Sequence, residues 1–66
     1  MNIPLGAVVE IVDTPESLKD CKGKIAIVRS KQLNADKTLL YLVMLKDRPA
    51  FGWWAARFMF KMLEDA

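Results

Sequence analysis

The chain contains no histidine, one cysteine, three glycines and three prolines in 66 residues. Each shortage closes a route. Without histidine there is no imidazole general base and no histidine-centred triad. A single thiol, Cys21, cannot form an internal disulfide. Without a second thiolate or an imidazole, a structural zinc site is nearly excluded. Three glycines cannot build a dinucleotide fingerprint, and no phosphate-binding P-loop is present. The longest apolar run, "TLLYLVML", is far too short to cross a bilayer as a helix.

Other absences concern location and chemistry. The opening "MNIPLGAVVEIVD" lacks a basic n-region and carries acids early, so no signal peptide is expected. A lone cysteine suits a reducing compartment, which gives a soluble cytoplasmic protein as the expectation. The acids are scattered, with no pair at a catalytic spacing. Cys21 has basic neighbours in Lys19, Lys22 and Lys24. No base accompanies it, so it reads as a loop or core thiol. The expectation is a non-enzyme with no catalytic residue, cofactor or metal.

What is present is apolar. Hydrophobic residues make up 53% of the chain, above the usual range of about 45–50%. A single domain over residues 1–66 is expected. A core of this size supplies only about 3–5 kcal/mol of net stability. Dense packing and association with another chain are the remaining means of stabilisation. The charge is segregated: all ten Lys and Arg fall within residues 19–61, against three acids there. Such a basic middle suits a nucleic-acid patch or a solvated strand surface.

The pattern along the chain predicts strands. "AVVEIV" is the first. "DTPESLKDCKGK" is a loop with one helical turn near Pro15–Leu18. "KIAIVRS" is the second strand, "KQLNADK" a polar turn, and "TLLYLVML" the third strand. "KDRPAFG" reads as a connector, because Pro49 and Gly52 oppose a ladder. The segment Phe51–Leu63 holds both tryptophans and all three phenylalanines. A helix over Trp53–Leu63 is one reading, since Trp54, Phe58 and Met62 recur at spacing four. Its opposite face would also be apolar, so a fourth strand at Phe51–Ala55 is preferred. A 3₁₀ turn near Ala56–Met59 and a fifth strand at Phe60–Glu64 complete it. The class is all-β, and five short strands suit a small closed barrel.

The stretches "LGAVVEIV", "CKGKIAIV" and "YLVML" resemble the Src-homology-3-like (SH3-like) small barrel in its KOW-type variant. Gly6 and the pair Gly23-Lys24 match that pattern, while Ala26 stands where a second glycine is expected. The tail "WWAARFMFKMLE" is similar to the ending of many such barrels, with a tryptophan strand, a 3₁₀ turn and a short closing strand. The resemblance implies a five-stranded SH3-like barrel. Proteins of this kind serve as translation and transcription factors, peptide binders, accessory subunits and phage proteins, and the fold does not choose among them.

The strand faces narrow the choice. Leu39, Tyr41, Val43 and Leu45 form one face of the third strand, and Leu40, Leu42 and Met44 the other. Both are apolar, where a half-buried strand has one polar face. The second set needs cover, either from the loop and tail or from another chain. Trp53 and Trp54 point to opposite faces, so one of them is left at a surface. Two functions follow. The first is a protein-interaction module, an accessory subunit, adaptor or inhibitor. It would use Leu40, Leu42, Met44, Trp53 and Trp54 with a rim of Arg48 and Arg57, against its own copy or a host protein. The second is a nucleic-acid binder of the transcription or translation machinery. In it Lys22, Lys24, Arg29 and Lys31 contact phosphates, and an exposed Tyr41 or tryptophan stacks on bases.

Overall fold

A computed structural model describes residues 3–64. Its five antiparallel strands are β1 (Val8–Ile11), β2 (Ile25–Leu33), β3 (Leu39–Leu45), β4 (Arg48–Ala56) and β5 (Phe60–Glu64). They lie in the order β4-β3-β2-β1-β5 in one sheet. A 3₁₀ helix at Glu16–Cys21 joins β1 to β2, and a second at Arg57–Met59 precedes β5. The division of the tail into strand, 3₁₀ turn and strand is therefore as expected, and the helix over Trp53–Leu63 is not formed.

The closed barrel is not reached: no pairing joins the outer strands β4 and β5 among the described residues. The sheet is nonetheless strongly curled. In a flat sheet, three strand spacings would separate β3 from β5 by roughly 14 Å. Instead the rings of Tyr41 on β3 and Phe60 on β5 meet edge to face, with centroids 5.5 Å apart. Between them lies a core of Ala7, Val9, Ile11, Ala26, Val28, Val43, Leu45 and Ala55, to which Ile3 and Cys21 are added. Trp53, Leu18, Leu39, Met59 and Met62 pack around it.

Two boundaries differ from the sequence pattern. β2 continues through Lys31, Gln32 and Leu33, so the polar turn shrinks to the residues after them. Lys37 takes a left-handed φ of 70° there, a conformation suited to a short hairpin loop. The Thr38 N–H donates to the Asp36 carboxylate at 3.0 Å. That backbone bond holds the Asp36 carboxyl below its usual range. Because the folded value is depressed, the stabilisation is whole at neutral pH and is lost as acidification passes through the lowered value.

The second difference lies in β4, which runs straight through the supposed connector. Leu45 pairs with Arg48 and Met44 with Gly52, so Pro49, Ala50 and Phe51 stand out of register between them. A bulge on an edge strand is where proline's missing N–H costs no ladder bond. Gly52 is needed for another reason. A Cβ there would lie 2.5 Å from the Val43 carbonyl oxygen and collide with the Met44 sulfur.

Gly23 ends the first connector with φ 87°. Its N–H donates to the Ile11 carbonyl at 2.7 Å while the Ile11 N–H donates to that of Lys24 at 2.9 Å. The two bonds return the chain into register beside β1. The connector sends Cys21 into the core and packs Leu18 against it, and thus covers the inner side of the sheet.

Substituting Gly52 by alanine should destabilise the protein by about 1–3 kcal/mol, since backbone must shift to admit one methyl group. Urea unfolding should report this as a lower midpoint with an unchanged slope.

Candidate functional site

The outer face of the sheet can be read in cross-strand rows, since directly opposed residues share a face. One row runs Val8, Ile27, Met44, Gly52. The next runs Ser30, Leu42, Trp54, and a third runs Gln32, Leu40, Ala56. Toward the other end lie Ile25, Glu10 and Lys61. The centre of this face is thus an apolar field of Val8, Ile27, Leu40, Leu42, Met44, Trp54 and Ala56. Its side chains are half-buried against one another, except Trp54, which is 42% exposed.

Leu40, Leu42, Met44 and Trp54 therefore come together as expected. Trp53 does not join them: it stands opposite buried Val43, on the inner face, with Phe51 at 6.0 Å between ring centroids. Its indole N–H is buried without an acceptor among the described residues. The strand's alternation decides which tryptophan is the surface one, and the answer is Trp54.

The charged residues divide similarly. Arg48 is exposed at the start of β4, directly after the two-residue turn of Lys46 and Asp47. Arg57 is committed within the chain. Its Nη1 donates to the Phe60 carbonyl at 2.9 Å, and its guanidinium lies 5.2 Å from the centre of the Phe60 ring. It works as a clasp on β5 rather than as a rim charge.

The residues of the nucleic-acid reading do not form one row. Lys22 follows the first 3₁₀ helix, and Lys24 lies 3.7 Å from Asp47. Arg29 is the extra residue of a β2 bulge. Lys31 opposes Tyr41 in the ladder and belongs to the inner side. Tyr41 itself is corrected most sharply. At 2% exposure, with its ring against Phe60, it has no face to offer a base. The β3 alternation places it with Val43 and Leu45, all of them core.

Sequence reasoning passed over Ile27, Lys46 and Pro49. With Arg29, Met44 and Leu45 they line a cleft of about 140 Å³. Lys46 is shared with a neighbouring depression of about 540 Å³ lined by Gly23, Lys24, Ile25 and Asp47. Pro49 was hidden by being read as a strand breaker.

Among the described residues no group of three or more potential metal ligands gathers, and no helix is long and apolar enough to cross a membrane. Compared with known families, curated proteins and solved structures, the chain matches no family model, no curated protein and no solved structure.

Arg57→Ala should lower stability by about 1–2 kcal/mol, the scale of one charge-assisted hydrogen bond and one cation–π contact. Thermal melting should register the loss, while the amide spectrum of the outer-face residues on β3 stays unchanged.

Proposed function

We propose that this chain is a non-enzymatic protein-interaction module, an accessory subunit, adaptor or inhibitor, that binds another protein chain through the outer face of its sheet. Trp54 is the anchor and Leu40, Leu42 and Met44 are the floor. The observation that carries this reading is the second apolar face of β3. The connector and the second 3₁₀ helix give Leu18, Cys21 and Met59 to the inner side, and Trp54 stays exposed on the edge strand β4 at the border of the other. Apolar fields that include an exposed tryptophan are characteristic of association surfaces. The partner is a second copy of the chain or a host protein, in the cytoplasm.

The scaffold of this module is, on our reading, an SH3-like small barrel of KOW type. The meander β1 to β4 with β5 returning beside β1 supports it. So do the left-handed backbones of Gly6 and Gly23 at the two matching positions, φ 93° and 87°. Ala26, in place of the second glycine, is fully buried, where a larger core side chain than glycine helps packing.

A standard interface buries about 800 Å² on each partner, close to a fifth of the 4462 Å² accessible surface. Association and stability should therefore be coupled. Leu42→Glu should abolish association while leaving a folded monomer, because Leu42 lies on the outer face. Val43→Glu should unfold the protein, because Val43 is fully buried. Sedimentation and concentration-dependent melting of the three proteins provide the check. A monomer at high micromolar concentration, with no partner retained from a nuclease-treated lysate, would refute the proposal. Submicromolar binding to oligonucleotide with a steep salt dependence would favour the nucleic-acid reading instead.

A further inference from the structure

Two depressions at the turn end of the sheet adjoin at Lys46, which lines both, and together they make a groove in two parts. Its apolar lining is Ile25, Ile27, Met44, Leu45 and Pro49. Its smaller part, about 140 Å³, is close to the roughly 150 Å³ that accepts a benzene-sized group in an apolar cavity. Around this lining stand three cations, Lys24, Arg29 and Lys46, and one carboxylate, Asp47. Asp47 is taken up by Lys24 at 3.7 Å. Among the described residues no carboxylate lies within 4 Å of Arg29 or Lys46. The β2 bulge is what brings Arg29 to the groove: it inserts one residue between Val28 and Ser30, and Arg29 lines the cleft beside Ile27.

We infer that this groove receives an acidic, apolar segment of a partner protein: one aromatic or branched aliphatic side chain enters between Ile27, Met44 and Pro49, and flanking Asp or Glu carboxylates meet Arg29 and Lys46. The inference rests on the interaction-module reading and names the chemistry of the partner. A second copy of this chain fits the groove poorly. A two-fold interface brings the same face from both sides; among the carboxylates of that face, Glu10 and Asp47 already lie within 4 Å of Lys61 and Lys24, and Glu64 stands opposite Val8 on β5, at the edge of the sheet away from the groove. A nucleic acid fits less well still, because the lining is aliphatic and offers no ring for a base to stack on. Flanking charges guide such a segment into place and exclude basic competitors.

The test is selection from a random dodecapeptide library against the full chain, followed by affinity measurements on the selected peptide. Retained peptides should carry Asp or Glu beside Phe, Leu or Ile. The paired reversal Arg29→Glu with Lys46→Glu changes only exposed side chains. It should weaken the selected peptide at least about tenfold, and exchanging that peptide's acids for lysines should restore binding to the variant. The inference is overturned if selection yields no acidic enrichment, if the reversal leaves affinity unchanged, or if oligothymidylate displaces the peptide and binds tighter. Sedimentation of Leu42→Glu separates the two levels. If the chain associates through Leu42 but selects no acidic peptides, only the partner chemistry is wrong.

Discussion

The edge-to-face contact of Tyr41 with Phe60 is the constraint on which the rest of the molecule depends. β3 and β5 are not neighbours in the sheet, and their rings can touch only if the sheet curls over its inner face. The curl turns a single layer into a container for Val9, Ile11, Val28 and Val43 without a second layer. Arg57 reinforces the arrangement by holding the Phe60 carbonyl and covering its ring. A small chain with no disulfide thus obtains an enclosed core from one aromatic pair and one clasp. The same curl leaves the opposite face of the sheet outward, with its own apolar residues on display.

That second face follows from the composition of β3. A strand of alternating polarity would have supplied the core and stopped there. This one supplies Tyr41, Val43 and Leu45 inward, and Leu40, Leu42 and Met44 outward. Trp54 enlarges the outward set across the ladder from Leu42. Gly52 lowers the β4 backbone beside Met44, so the Met44 side chain can lie across it. The field dips near the turn, where Pro49 and the bulged Arg29 border it.

Much of this was legible in the residues, and the misreadings have definite causes. The strand–turn–strand division of the tail followed from apolar residues on every face of the alternative helix. The opposition of Trp53 and Trp54 followed from the period of two. Which face of β3 was inner could not be read, because both are apolar and only the partners across the ladder decide. The extent of β4 was missed because Pro49 and Gly52 break a central strand, whereas at an edge a bulge absorbs the first and close packing requires the second. β2 was cut short because Lys31 and Gln32 look like a turn, although the ladder simply continues past the core. The role of Arg57 depends on where Phe60 lies, and no spacing rule contains that.

The pairing of β1 with β5 has a kinetic consequence. It joins Val8–Ile11 to Phe60–Glu64, nearly the whole described chain apart. The β2–β3–β4 meander, by contrast, closes through short turns. Loop-closure entropy rises with the length of chain enclosed, so the meander can assemble before β5 arrives. Both faces of β3 are apolar, and the partners across the ladder distinguish them. The docking of Phe60 against Tyr41 is thus the contact that closes over one face of β3 and leaves the other outward.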